Sequence, residues 1–392
     1  METPACKLRG VGNPQKNSRK TMPFKTEEML LNVGPQHPST HGVLHLEVTT
    51  DGELVTNAEP TIGYLHRCFE KYAETLTYQQ IIPYTDRLDY LSSMNNNFGF
   101  VVAVEKLMGI NVCERAERIR VIMAELNRIA SHLMFIGSFS NDLGAMTPFL
   151  WCFRDREEIL KIFEEVSGAR LLYNYYRIGG LAADLTPGIE DRIHSFLNQF
   201  EAHMLELDDL FTRNAIVIAR LKGVGMIPRE MAIAYGLSGP MLRASGVDWD
   251  CRRDEPYSIY PSLRFEVPVG GEKLGALGDC YARYLVRRAE IDQSVSLVRQ
   301  CLTDIPPGDV KEQVKRNVRP PVGEVYVRTE NPRGEIGFYL RSDGSTKPSR
   351  VKVRAPSFCN MSVFNRISKD ILVADMIAIL GSVDIVLGEI DR

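Results

Sequence analysis

The feature that most constrains this chain is the run from Glu114 to Phe139, in which Ile119, Ile122, Leu126, Ile129, Leu133 and Ile136 recur at spacings of 3, 4, 3, 4 and 3. Only an α-helix gathers such positions into one stripe, because about 3.6 residues per turn bring i, i+3, i+4 and i+7 to the same face. Similar patterns run from about Arg154 to Leu172, from Ile189 to Leu221 through Ile193, Phe196, Phe200, Leu207 and Phe211, and from Leu277 to Leu302. Four long helices predict a bundle.

Strands are expected on both sides of it. LLNVG, GVLHLEV and ELVTNAEP precede the helices, with Asp51-Gly52 at a hairpin bend. GEVYVRT, EIGFYLRSDG and SRVKVRAP follow as an antiparallel meander from Gly323 to Pro356, with ENPRGE as its first turn and a final helix near Lys369 to Leu380. Strands at both ends of a helical middle predict an α+β fold. Residues 1–26 read as a basic, disordered tail, and Met22 is an alternative start. Residues 27–392 read as one domain, made of an N-terminal α+β part (27–112), the bundle (113–305) and the C-terminal meander with its helix (318–392).

Charge and cysteine placement exclude several functions. The 392 residues carry 47 Lys+Arg and 50 Asp+Glu, a net charge of -3, whereas gripping phosphate backbones needs a basic face, so nucleic acid is not an expected partner. Cys6, Cys68, Cys113, Cys152, Cys251, Cys280, Cys301 and Cys359 come no closer than 21 positions, so the short Cys-x-x-Cys segments of zinc and iron–sulfur sites are absent. The first 25 residues have no apolar core of a signal peptide, which favours free thiols in a reducing compartment. Ile371 to Ile390 is the most apolar stretch, but Asp375 and Asp384 inside it favour burial in protein over a membrane span. No Walker A or G-x-S-x-G motif occurs, and RLKGVGMIPRE (220–230) lacks the third glycine of a dinucleotide fingerprint.

Chemistry is best supported in three segments. GPQHPSTHG (34–42) sets His37 and His41 on a loop stiffened by two prolines. An imidazole there suits hydrogen bonding or proton donation; a metal site stays open, but no Cys or carboxylate stands at supporting spacing. YTDRLDYLSSMNN (84–96) gathers Asp86, Arg87, Asp89 and Tyr90, as a surface helix start with ion pairs or as part of a site. NDLGAMTPF (141–149) ends the long helix with Asp142, either a cap or a carboxylate that orients an imidazole. His132, His194 and His203 fall on helices and read as structural.

These segments, with EPTIGYLHRCFEK (59–71), AELNRIASHL (124–133), GVGMIP (223–228), LRASGVDWD (242–250), GEVYVRTENPRGEIGFYLRSDG (323–344) and VKVRAPSF (351–358), resemble the D, or 49 kDa-type, subunit family of respiratory complex I. The resemblance is collinear from about residue 28 to Arg392. It implies the fold of the [NiFe]-hydrogenase large subunit, with both of that enzyme's Cys-x-x-Cys pairs missing and a quinone headgroup site in the vacated cavity.

Carried over residue by residue, the resemblance implies that His41 and Tyr90 hydrogen-bond the two quinone oxygens and that Asp142 orients His41. His37, Arg87, Met134 and Ser138 would line or support the pocket, as would Asp384 and Val386 from the segment where a hydrogenase carries its second cysteine pair. Arg67 would lie near the terminal [4Fe–4S] cluster of the neighbouring B subunit. In GARLLYNYYRIGG, Leu172 stands where many members have a histidine tied to the pH dependence of that cluster, which implies a lower or less pH-sensitive potential and suits a low-potential quinone such as menaquinone.

The same resemblance implies a peripheral component of a proton-translocating NADH:quinone oxidoreductase on the cytoplasmic face of the cell inner membrane. This chain would bind no cofactor itself. NADH, FMN and the iron–sulfur clusters would belong to other chains, with the B, C and membrane-arm H subunits as neighbours. A complex fed by ferredoxin or F420 stays open, as do a scaffold that never touches quinone and a nickel-bearing hydrogenase, against which the cysteine spacing stands.

Overall fold

A computed structural model describes residues 27–37, 40–303 and 305–392. The expected tail at 1–26 lies outside the described residues, as do Pro38 and Ser39 of the histidine loop.

Three antiparallel strands open the described chain: β1 (Glu28–Val33), β2 (His45–Asp51) and β3 (Leu54–Thr61). Leu46, Val48 and Thr50 of β2 alternate inward, the period expected of a half-buried sheet, and Gly52 turns the hairpin at φ +63°. The fourth strand of this sheet is Ile371–Leu372, which pairs with Val55 and Leu54, so one sheet joins segments more than 300 positions apart.

The helical middle contains α1 (Tyr78–Thr85), α2 (Ser93–Met108), α3 (Glu114–Asp142), α4 (Met146–Ser167), α5 (Ile189–Leu207) and α6 (Cys280–Thr303). The stripe helix is α3, and it packs against both α4 and α6. Its other faces are covered too, so Arg120, Glu125, Arg128 and His132 are buried along with the isoleucines. Helix α2 carries no amphipathic stripe that sequence patterning would register. It is buried nearly all round, and Asn95, Asn96 and Asn97 bond to the Ala124 carbonyl of α3, the Asp89 carbonyl and the Thr85 hydroxyl. Those amides fix the turn between α1 and α2 against α3.

Three expected helices have different bounds. Helix α4 begins at Met146 and stops where Gly168 adopts φ +77°, so residues 168–172 leave the helix. The run from Ile189 to Leu221 divides at a wide turn, Asp208–Thr212, and Asn214 caps a new helix, Ala215–Leu221, by accepting from the Ile216 amide. The last long helix, α7, spans Val373–Val383, because Ile371 and Leu372 are taken by the sheet. Between residues 222 and 279 the expected bundle is interrupted by short helices at Arg229–Ala234, Pro240–Ala244 and Cys251–Asp254.

The meander is β4 (Gly323–Asn331), β5 (Gly334–Ser342) and β6 (Pro348–Arg354). Asn331 pairs with Gly334, so only Pro332 and Arg333 form the first turn, tighter than the six-residue ENPRGE segment. No described helix is long and apolar enough to cross a membrane.

A buried charge network ties α3 to its neighbours. Glu125 accepts from Arg128 and Arg252 at 3.2 Å each, from the Tyr260 hydroxyl at 2.6 Å and from the Ser294 hydroxyl at 2.7 Å. Arg252 also meets Asp250 at 2.7 Å; Arg243 meets Glu290 at 2.6 Å and Glu330 at 2.8 Å; and His132 meets Glu290 at 2.9 Å. Burial works to raise the Glu125 pKa, but the charges of Arg128 and Arg252 outweigh it and hold it down at about 2. A folded-state pKa below the unfolded one gives stability that is present above about pH 4 and lost as pH falls through the folded value. Glu125→Gln leaves two buried guanidinium groups undercompensated and is expected to cost about 3–5 kcal/mol. The chemical denaturation midpoint of the purified chain measures this.

Candidate functional site

The loop after β1 folds around Thr40, whose hydroxyl donates to the His37 carbonyl at 2.7 Å and whose amide donates to the same oxygen at 3.0 Å. His37 and Gly42 form a bridge, and His41 between them adopts φ +54°, a left-handed conformation that a non-glycine residue adopts at some cost. This turns the His41 ring toward the end of α3. Its Nε2 lies 2.6 Å from Oδ2 of Asp142, the last residue of that helix.

The two side chains keep only 16% and 11% of their exposure, so their mutual attraction is weakly screened. Burial by itself would lower the His41 pKa, but the hydrogen bond and charge of Asp142, helped by Asp384, raise it above the ordinary value. Asp142 thus favours the protonated form of His41.

The turn after α1 supplies Tyr90. Its neighbour Asp89 is buried and accepts from the Leu91 amide, the Ser92 hydroxyl and Arg333. The Tyr90 hydroxyl has no hydrogen-bond partner among the described residues, and burial, followed by the Asp89 charge, raises its pKa.

One cavity of about 270 Å³ joins these groups. Helix α3 contributes Met134, Phe135, Ser138 and Asp142; Phe149 comes from α4; and Asp384, Ile385 and Val386 come from the segment after α7. Ser138 donates to the Met134 carbonyl of its own helix. Asp384 closes the far wall at φ +57°, with Oδ1 at 2.9 Å from Arg333, while its Oδ2 is buried without a hydrogen bond and lies 3.7 Å from Arg287. Arg287 stacks 4.2 Å over Phe135, and burial lowers its pKa to about 10.

Seven of the expected site residues therefore meet at this cavity: His41, Tyr90, Met134, Ser138, Asp142, Asp384 and Val386. His37 and Arg87 do not line it. His37 is exposed on the loop, and Arg87 is exposed with its guanidinium on the Pro83 carbonyl of its own turn. Arg67 lies outside the lining as well, where it ties two segments together by donating to the Arg87 carbonyl at 2.7 Å and the Gly388 carbonyl at 2.9 Å. Leu172 is half-buried at φ +58° on the loop that follows α4. Phe135, Phe149 and Arg333 were not singled out by sequence reading. Arg333 sits inside ENPRGE, where an arginine at the tip of a two-residue hairpin is the available signal.

Residues 142–320 and 311–392 match the family described as the respiratory-chain NADH dehydrogenase 49 kDa subunit. The chain belongs to this family. Among its relatives, the NADH-quinone oxidoreductase D subunit of Chlorobium luteolum is 56% identical over 371 residues, 94% of each chain. The protein of the same name from Prosthecochloris aestuarii is 53% identical over 385 residues, 97% of this chain and 96% of the relative. That from Chlorobaculum tepidum is 53% identical over 371 residues, 94% and 93%. As a member of the 49 kDa family, the chain is one component of a larger oxidoreductase.

In this family member, Asp142→Asn is expected to lower the His41 pKa, because it removes the carboxylate charge and leaves the burial. Histidine-labelled NMR titration measures the shift. The wild-type pair adds stability below about pH 6.5 that is lost as pH rises through the raised His41 pKa.

Proposed function

We propose that this chain forms the quinone-reducing site of a proton-translocating NADH:quinone oxidoreductase. The observation that carries the reading is the cavity in which the His41–Asp142 pair and the Tyr90 hydroxyl stand among apolar side chains. It is supported by the relatives' name, which is that of the D subunit of an NADH-quinone oxidoreductase. The cavity is smaller than the ~300–1,000 Å³ usual for drug-sized ligands, which suits a single substituted ring with its tail leading outward.

Converting a quinone to a quinol consumes two electrons and two protons, and each proton ends on one of two opposed oxygens. His41, whose protonated form Asp142 favours, hydrogen-bonds one oxygen and delivers its proton. Tyr90, with its hydroxyl otherwise unengaged, serves the second. Phe135, Phe149, Met134 and Val386 exclude water and pack the ring, and Asp384 keeps the far wall polar. His37 supports the His41 loop, and Arg87 offers the carbonyl that anchors Arg67.

A terminal [4Fe–4S] cluster of a neighbouring B subunit would supply the electrons, with Arg67 and Leu172 the residues of this chain nearest to it. NADH, FMN and the remaining clusters reside on other chains, with the C and membrane-arm H subunits as further neighbours. The complex sits at the cytoplasmic face of the inner membrane, with this chain peripheral, and quinone reduction drives proton translocation.

In the assembled complex, Tyr90→Phe and His41→Ala are each expected to lower quinone reduction about a hundredfold or more. NADH-driven reduction of a water-soluble acceptor upstream of the site stays intact. Unchanged quinone reduction removes the reading. A separate measurement concerns Leu172. A redox titration of the terminal cluster across pH is expected to give a shallow slope, and Leu172→His to steepen it toward ~59 mV per pH unit, the one-electron equivalent of a tenfold change. A full slope in the unsubstituted chain contradicts this.

A further inference from the structure

We propose that Arg333 is the positioning residue of this cavity: one guanidinium, held at the tip of the β4–β5 hairpin, sets the Tyr90 turn and the Asp384 wall at a fixed separation across the substrate. The inference rests on the quinone reading and assigns a role to a residue that does not itself deliver a proton.

The donors of Arg333 are nearly all spent on protein. Nε donates to the Asp384 carbonyl at 3.0 Å and Nη2 to the Asp384 carboxylate at 2.9 Å. Nη1 donates to Asp89 at 2.7 Å and to the Ser131 hydroxyl of α3 at 3.0 Å. Four of the five N–H groups of the guanidinium are thereby directed at three separate segments. A planar fork reaches them together, whereas the point-like ammonium of lysine does not.

Both ends of this strut act on the cavity. On one side, Asp89 immediately precedes Tyr90 and fixes its turn through the Leu91 amide and Ser92 hydroxyl. On the other, Asp384 holds a left-handed backbone at φ +57°, a conformation that is strained for a non-glycine residue and persists when its surroundings over-determine it. Arg333 grips that residue by its carbonyl and its carboxylate at once. Ile385 and Val386, which line the cavity, follow directly.

The strut is anchored at its base. Gly334, next to Arg333, has φ +134°, and a Cβ on it would lie 2.5 Å from the Ser238 hydroxyl oxygen. A Cβ on Gly239 would lie 2.3 Å from the Gly334 Cα, and the Asn360 amide donates to the Arg333 carbonyl at 3.0 Å. The hairpin tip is thus wedged into the core, and Arg333 is 1% exposed.

The test uses the assembled complex and compares Arg333→Lys with Arg333→Gln. Arg333→Lys keeps the charge but loses the fork. It is expected to raise the quinone KM about tenfold, with a smaller fall in kcat, because misplacement of about 1 Å is already costly at such a site. Its pH profile stays near wild type. Arg333→Gln also removes the charge. Burial is the largest influence on both His41 and Tyr90; Asp142 and then Asp384 act next to raise the His41 pKa and Asp89 to raise that of Tyr90, and below these the Arg333 charge draws both down. Its loss is expected to move the pH profile of quinone reduction upward.

Reduction of a water-soluble upstream acceptor reports assembly. Where neither variant assembles, Asp89→Asn cuts one end of the strut and is expected to raise the quinone KM in the same direction. Wild-type KM and kcat in Arg333→Lys, or in Asp89→Asn where only that variant assembles, overturn the inference. If His41→Ala and Tyr90→Phe also leave quinone reduction unchanged, the quinone reading itself falls. If they abolish it while Arg333→Lys is silent, only the role of Arg333 falls.

Discussion

Helix α3 is covered on every side yet carries Arg120, Glu125, Arg128 and His132, and the rest of the molecule is arranged around that conflict. Each of these buried polar groups requires an opposite charge or a set of hydrogen bonds, and beyond pairs within α3 such as Glu125–Arg128 the partners come from other elements. Arg120 takes Glu105 of α2 at 2.7 Å and also donates to the Gly180 carbonyl. Glu125 takes Arg252 from the short helix at Cys251–Asp254, and His132 takes Glu290 from α6. Such pairs do little better than well-packed apolar residues in net stability, but breaking one leaves an uncompensated charge. Their effect is selective. A packing of α2, α6 or β4 with α3 in another register would strand a charge.

The same helix forms one wall of the cavity, so specification of the core and specification of the site are one event. Around the cavity the charges are balanced in kind: Asp142 with His41, Asp89 and Asp384 with Arg333, and Arg287 behind Phe135. Glu389, buried near Asp89, has its pKa pushed up by burial and then by the Asp89 charge, which disfavours a further negative charge there. For the quinone reading proposed above, this balance suits a neutral substrate that gains electrons and protons in equal number, because its net charge is the same before and after reaction.

Much of this was legible in the sequence where periodicity or stiffness carried it. The α3 stripe, the two hairpins of the meander and the Asp-Gly bend appear where patterning puts them. The His41 loop and the DRLDY segment drew notice because prolines and clustered charges mark positions with a defined direction. What stayed hidden lacks a local signature. Helix α2 carries three asparagines, Asn95, Asn96 and Asn97, near its start, residues of low helix propensity that are held there by tertiary bonds to α3 and to the Asp89 carbonyl. The wide turn at Asp208–Thr212 depends on Arg288, 80 positions away, which pairs with Asp208. The resemblance implies that Arg87 lines or supports the pocket, but side chains on a turn diverge, and its guanidinium points outward while Asp89 points in.

No single segment builds the cavity, and this bears on how the chain can be divided. His41 and Tyr90 come from the first hundred residues, Asp142 and Ser138 from α3, and Arg333 and Asp384 from the last sixty. The early and late segments are also stapled to each other away from the site. Asp391 accepts from the Gly63 and Leu65 amides at 2.9 and 2.7 Å, His66 meets the Asp391 carbonyl at 2.6 Å, and β3 pairs with Ile371–Leu372. Contacts of such sequence separation carry a large loop-closure cost, which is offset only when both end segments are in place. A cut between the bundle and the meander would therefore remove Arg333 and Asp384 from the site and the fourth strand from the first sheet, and neither piece would retain a complete cavity.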